Sequence, residues 1–273
     1  MSPQDSTRRN PQEIFVEVAN NARDELERSS SALAFAGLAG GLGMGLTGLS
    51  VASVEALLGP GGTHQFIALL FYPIGFISVV IGRAQLFTEN TLYPVALVLD
   101  ERRHLLNTLR LWAVVFVTNV LGALLFALIA VKTDALPPAI RDALATLGQT
   151  ALQGTNAHIF WSGVVGGWII ALMAWIVSAS HWTSGQVAII WLLTAIVGFG
   201  HFSHCIASSG EILSAVVAGH STYPHYLLWL ALATSGNIVG GVVFVTLLNF
   251  GQVKESLLEA ESTVVSKQLD RAA

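Results

Sequence analysis

Apolar positions in this chain gather into long runs rather than alternating with polar ones. Four runs contain no Asp, Glu, Lys or Arg: Ala32 to Val54, Leu111 to Val131, Ile159 to Ser178 and Tyr226 to Phe250. Each is long enough to cross ~30 Å of hydrocarbon as an α-helix, for which about 18–20 apolar residues suffice. Two further runs are interrupted. Phe66 to Gly82 meets Arg83, Gln85, Thr88, Glu89 and Asn90 before resuming as Leu92 to Leu99. Val187 to Gly200 gives way to His201-Phe-Ser-His204-Cys-Ile-Ala-Ser-Ser-Gly-Glu211 and resumes as Ile212 to Ala218. The pattern predicts an all-α membrane protein of six segments, the second and fifth broken inside the bilayer. Ahead of them, Asn10-Pro11-Gln12-Glu13 has the form of a helix start, with Asn as N-cap, Pro at the first helical position and Glu closing a capping box. Ile14, Val18 and Ala22 then share one face while Glu17, Arg23, Asp24 and Glu27 stay wet, which suits a short amphipathic helix lying against the membrane mouth. The organisation expected is an N-terminal segment 1–31, a six-helix domain 32–250 and a charged, helical tail 251–273.

Composition agrees with a bilayer as solvent. Hydrophobic residues make up 53% of the chain and charged residues 11%, against roughly 25% charged in soluble domains. The net charge of −4 comes with no dense basic stripe, so nucleic acid is not an expected partner. A single cysteine, Cys205, excludes an internal disulfide framework and a zinc site built on paired cysteines. The first thirty residues mix acids and bases without an apolar core, so no cleavable signal peptide is expected. Six crossings put both termini on one side, and Arg8, Arg9, Arg23, Arg28, Arg102, Arg103, Arg110, Lys254, Lys267 and Arg271 fall there, against Lys132 and Arg141 opposite. The excess of Lys and Arg predicts that both termini are cytoplasmic.

The chain repeats itself. Gly37-Leu-Ala-Gly40-Gly41 in the first segment matches Gly163-Val-Val-Gly166-Gly167 in the fourth, and Asn119-Val-Leu-Gly122 in the third matches Asn237-Ile-Val-Gly240 in the sixth. Repeat one covers about 32–131 and repeat two about 158–250. Three crossings per repeat is an odd number, so the halves are inverted about an axis in the membrane plane, an architecture of channels and transporters. The glycines are read as close helix packing. The asparagines are read as hydrogen-bonding the free backbone of a broken neighbour, with contact to a solute as the other possibility. Non-helical backbone at membrane depth persists only where protein or a water-filled path surrounds it, so two symmetric breaks mark a pathway.

At the breaks the residues resemble the formate/nitrite transporter superfamily of pentameric, aquaporin-like channels for small monovalent anions. Leu86-Phe87-Thr88 is similar to that family's loop after the first half of segment two, and Phe202-Ser-His204-Cys-Ile-Ala to the pattern around its pore histidine. The resemblance implies that His204 is the central histidine, Thr88 the loop threonine facing it, Leu86 and Phe87 one apolar constriction, and Tyr72, Phe76 and Val197 candidates for the other. It also implies a homopentamer in the cell's inner membrane, one pore per protomer, no cofactor and no enzymatic chemistry. A central histidine would attract or protonate a weak-acid anion, the neutral acid being far cheaper to move through an apolar tube than the desolvated anion.

This chain departs from the family's pattern. Gly167 and Ser208 stand where transport members carry asparagine, and a basic residue before segment four is missing. Instead Arg83, Glu89 and Glu211 lie at or near the breaks. Charges inside membrane segments are usually paired or functional. The first expectation is a salt bridge that locks the loop; the second is a charged gate whose acids admit a cation or neutral solute. A metal site or membrane enzyme built on His201, His204 and Cys205, at helical i, i+3, i+4 spacing, is a remaining alternative of a different class.

Overall fold

The computed structural model describes residues 9–59 and 61–254. The predicted tail beyond Lys254 lies outside the described residues. The amphipathic helix α1 (Pro11–Glu27) opens with the expected capping box: the Glu13 N–H donates to Asn10 Oδ1 at 2.9 Å and the Asn10 N–H to Glu13 Oε2 at 2.8 Å. Its buried face is Phe15, Val18, Ala19, Ala22 and Leu26. Then follow α2 (Ser30–Leu58), α3 (Gly62–Leu69), α4 (Pro73–Ile81), α5 (Tyr93–Glu101), α6 (Leu105–Lys132), α7 (Pro138–Ala151), α8 (Asn156–Ala179), α9 (Thr183–Phe199), α10 (Ala207–Val217) and α11 (Tyr223–Gly241).

The stretches long and apolar enough to cross a membrane are α2, α6, α8, the continuation of α11 to Lys254, and α3 with α4 taken together. In the second segment α4 stops, residues 82–88 are irregular, a single 3₁₀ turn at Glu89–Thr91 follows, and α5 completes the segment. In the fifth, α9 stops, residues 200–206 are irregular, and α10 completes it. The molecule is inside-out by the standard of a soluble protein. Leu121, Leu125, Trp161, Leu227 and Leu248 are exposed on the outer faces of the spans, whereas Thr88, Asn119, His204, Asn237 and Thr246 are buried.

The two halves pack alike. In each, the first span lies along the third, α2 on α6 and α8 on α11. This close approach depends on glycine: a Cβ on Gly41 would come within 1.9 Å of the Asn119 carbonyl oxygen, and one on Gly167 within 2.2 Å of that of Asn237. The broken segments cross at the centre, with α4 against α9.

The repeat is longer than the sequence pattern indicated. α7, for which no helix was expected, buries Leu144, Ala145 and Gly148 against α10 and α2. α1 makes the matching contacts with α5 and α8. Each half therefore comprises an amphipathic helix and three crossings, the amphipathic helix resting on the completing half of its own half's broken segment and on the first span of the other half. Both described ends of the chain lie on one side, where Phe15 of α1 meets Phe250 with ring centroids 5.8 Å apart. The loop from α5 to α6 is on that side too, since Arg23 pairs with Glu101 at 2.7 Å and Arg110 donates to the Leu26 carbonyl.

Two further details differ from expectation. The polar run Ala207 to Glu211, assigned to the second break from its lack of apolar character, is the first part of α10. Its free N–H groups find a side-chain acceptor, described below, and α10 is buried along its whole length. The last span carries a π-helical turn at Val242–Leu247. Through it the buried Thr246 hydroxyl reaches the Thr91 carbonyl of the first break at 3.0 Å.

Candidate functional site

Each break is pinned by one asparagine from the third span of its own half. Asn119 Oδ1 accepts from the Phe87 N–H at 2.9 Å, and its Nδ2 donates to the carbonyls of Gly37 at 2.7 Å and Gln85 at 2.8 Å. Asn237 repeats the arrangement, accepting from the Cys205 N–H at 2.8 Å and donating to Gly163 at 2.7 Å and Ser203 at 2.9 Å. A primary amide offers an acceptor and two donors, which answers the unpaired groups of an interrupted helix from one point. The correspondence aligns Gln85 with Ser203, Leu86 with His204 and Phe87 with Cys205. Two supports that carry no signal in the sequence complete the hold: Ser162 Oγ accepts from the Ser203 N–H at 3.0 Å, and Trp112 Nε1 donates to the Asn90 carbonyl at 2.8 Å.

Between the pinned loops, Thr88 Oγ1 and His204 Nε2 lie 2.8 Å apart, both fully buried. His204 Nδ1 accepts from the backbone N–H groups of Ile206 at 3.3 Å and Ala207 at 3.0 Å. The imidazole is thus the side-chain acceptor at the start of α10. Two donors on Nδ1 leave the neutral ring's proton on Nε2, so Nε2–H donates to Thr88 Oγ1. The Thr88 hydroxyl makes no other hydrogen bond among the described residues, and its own proton stays available.

A vestibule approaches this pair from each side. On the α1 side a cavity of about 380 Å³ is lined by Arg83, Gln85, Glu89 and Asn90 of the first break together with Glu17, Asn21 and Glu25 of α1. On the opposite side a cavity of about 470 Å³ is lined by His201, Phe202 and Ser203 of the second break, Tyr72, Val197, Ser208 and Glu211, together with Thr146 and Thr150 of α7. The pair, with Phe76 and Leu86, lines neither vestibule, and these four are at most 1% exposed. Phe76 meets the His204 ring edge-on with centroids 5.2 Å apart, and Tyr72 lies 5.8 Å beyond Phe76. A line of rings therefore runs from the opposite vestibule to the histidine.

Other residues fall differently from expectation. The Phe87 ring packs edge-on against Trp112 and Phe116 of α6, with centroids 5.6 and 5.0 Å away. It holds the loop to that span and lines neither vestibule. The three charges do not form one gate. Arg83 and Glu89 face the α1-side vestibule and Glu211 the other, where Glu55 joins it. Among the described residues Arg83 makes no ion pair within 4 Å, so the loop-locking salt bridge is not formed; the Asn119 amide holds the loop instead. Nor do His201, His204 and Cys205 converge as metal ligands. The break destroys their helical spacing, His204 Nδ1 is engaged by backbone, and no group of three potential ligands occurs among the described residues. Gly167 has no room for a side chain, its Cβ direction being filled by Asn237 backbone.

Comparison with known proteins agrees with this architecture. The model of the family described as "Formate/nitrite transporter" matches residues 12–251. The chain belongs to the formate/nitrite transporter family. It is 29% identical over 262 residues to "Inner membrane protein YfdC" of Escherichia coli (strain K12), covering 95% of this chain and 84% of that protein. It is 30% identical over 207 residues to "Probable formate transporter" of Methanothermobacter thermautotrophicus, covering 69% and 75%. Among solved structures, "FNT family ion channel" superposes with a TM-score of 0.80 at 18% identity, covering 88% of this chain and 99% of that one. "Pentameric formate channel with formate bound" gives 0.65 at 21% identity, covering 81% and 96%. At such identities the structures share the fold. As a member of the formate/nitrite transporter family, the chain is a multi-pass membrane transporter or channel and its class of function is transport rather than enzymatic conversion.

Proposed function

We propose that this chain conducts a small monovalent weak-acid anion of the formate or nitrite kind across the inner membrane, through a path in each protomer that is gated by Thr88 and His204. The observation that carries the reading is the buried Thr88–His204 contact standing between two polar vestibules. An anion leaving either vestibule loses its water and needs donors in return. The Thr88 hydroxyl is such a donor, and the hydrogen bond it accepts from Nε2–H polarises it further. His204 attracts the anion through this relay rather than as a ready-made cation, because Nδ1 already accepts from backbone. If the solute is carried as the neutral acid, the same pair is the point at which its proton is exchanged. Leu86 and Phe76 exclude water around the pair, and Tyr72 and Val197 form the apolar floor of the opposite vestibule.

The Lys and Arg excess on the α1 side supports cytoplasmic termini. The solved structure described as a pentameric formate channel supports a homopentamer.

One set of residues favours a second reading. Glu89 faces one vestibule, and Glu55 and Glu211 the other; acids on both approaches suit a cation or a small neutral solute. Reconstitution into liposomes, with light scattering recorded as they shrink and re-swell in formate, nitrite, acetate, chloride, potassium and glycerol, separates the two. Formate or nitrite uptake that His204→Ala abolishes is expected. Passage of a cation or glycerol without any anion would replace the anion reading with the second.

A further inference from the structure

Where each half-helix stops, the backbone takes the same unusual step. At the end of α4 the Arg83 N–H reaches the Val80 carbonyl at 3.2 Å and the Ala84 N–H the Val79 carbonyl at 3.1 Å; at the end of α9 the His201 N–H reaches Gly198 at 3.1 Å and the Phe202 N–H reaches Val197 at 3.0 Å. The residue that closes the turn is left-handed in both, Arg83 with φ 57° and His201 with φ 48°. Helix ends of this form favour glycine, which alone adopts that conformation without steric cost. This chain instead places a long side chain there in both halves, and unfavourable backbone tends to persist where the side chain it carries is used.

Both side chains are exposed, and each lines the vestibule on its own side. Arg83 has no direct polar contact among the described residues, although Glu89 on the same wall feels its charge. Among the described residues its guanidinium makes neither a hydrogen bond nor an ion pair within 4 Å, whereas the other arginine of that vestibule, Arg9, is engaged by the Ser178 carbonyl, His181 and Glu17. A guanidinium presents a planar fork of N–H donors that matches two oxygens of a carboxylate or of nitrite, which neither a lysine ammonium nor a spherical anion reproduces. Glu25 and Glu89 share the vestibule wall. A carboxyl wall beside the guanidinium suits binding that is also weak enough to release, as a conducting path needs.

We propose that Arg83 is the solute-recognition side chain of the α1-side vestibule, selecting planar two-oxygen anions over halide ahead of the Thr88–His204 pair, and that His201 occupies the equivalent post on the opposite side. The inference rests on the anion reading above.

The test uses the full-length chain in liposomes, with formate and chloride flux measured against concentration from each face for the parent, Arg83→Gly, Arg83→Lys and His201→Gly. Glycine is the residue the turn prefers, so these variants should fold at least as well, and their unfolding temperatures check that they do. Arg83→Gly should raise the half-saturating formate concentration about tenfold from the α1 side, the loss of roughly one charge-assisted contact, with little change for chloride. Arg83→Lys should retain flux but lose the preference for formate over chloride, and His201→Gly should act from the opposite face. A folded Arg83→Gly with the parent's half-saturation and formate-to-chloride ratio overturns this inference and leaves the anion reading standing. A parent chain that passes no small anion overturns both.

Discussion

Thr88 and His204, 116 residues apart in the chain, lie 2.8 Å apart through Oγ1 and Nε2, one from each inverted half. The contact joins the two breaks, and in the proposed path it is the closure. Thr88→Val keeps the volume and removes the hydroxyl, so Nε2–H is left buried without a partner, at about 1–3 kcal/mol, and the path loses its donor. Formate uptake by stopped-flow scattering should fall at least about tenfold in Thr88→Val and remain near the parent in Thr88→Ser. Equal uptake by the valine variant would remove the pair from the mechanism.

The pinning asparagines carry stability rather than selectivity. Asp in place of Asn119 or Asn237 keeps an acceptor but loses both N–H donors; the Gly37 and Gly163 carbonyls keep their own helix bonds, whereas that of Gln85 or Ser203, in the break, is stranded. At about 1–3 kcal/mol for a stranded buried group, either variant should lose roughly that much. In detergent this should appear as a clearly lower unfolding temperature by fluorescence-detected size exclusion. A variant as stable as the parent would mean that water replaces the amide at that point.

Cys205 is fully buried and is the sole cysteine of the chain, which gives a silent background for membrane-impermeant maleimide. Glu89→Cys should label only from the cytoplasmic face and Ser208→Cys only from the opposite one, since these positions line opposite vestibules. Labelling in the reverse sense, measured on intact cells against inverted vesicles, would invert the proposed topology.

Outside the membrane, Glu101 gathers the charges that hold α1 to the loop after α5. The His104 imidazole first, then Arg23 and Arg103, draw its carboxyl down to about 2. A carboxylate depressed in the folded chain from an unfolded value of about 4.3 contributes stability that is fully present above that value and is lost as pH falls toward 2. Thermal unfolding followed down this range should show Glu101→Gln losing less stability than the parent. The difference should shrink in high salt, because Arg23 and Arg103, which pair with it, are exposed and open to screening ions.

What was legible in the sequence follows from how strongly each feature is forced. A helix interrupted at membrane depth has few ways to satisfy its backbone, so the two breaks and the paired asparagines could be read from polarity and spacing alone. α7 escaped notice because Pro138–Ala151 is too short and too polar to read as a crossing, although Pro138 at its start and the spacing of Ile140, Leu144, Leu147 and Ala151 carry a helical signal. The start of α10 was hidden for a different reason. Ala-Ser-Ser-Gly-Glu looks like loop when polarity is the guide, and only the His204 side chain accepting from its first N–H groups explains a buried polar helix start. The separation of Arg83 and Glu89 from Glu211 was implicit in the inverted repeat, since corresponding points of the two breaks must open to opposite faces. Side-chain direction was not implicit: Leu86 and Phe87 are neighbours, yet the second is anchored to α6 by Trp112 and Phe116.

The matched asparagine bonds put Leu86 and His204 at equivalent places in their halves. One mould, used twice and in opposite senses, holds an aliphatic stopper at one casting and an imidazole at the other. The frame therefore fixes where a side chain stands without dictating what it is, and either loop can be given new chemistry while the other keeps the fold. Along the proposed path, a solute crossing in one direction would meet these two positions in the reverse order to a solute crossing back, so a scaffold with near two-fold symmetry would still enclose a passage with a front and a rear.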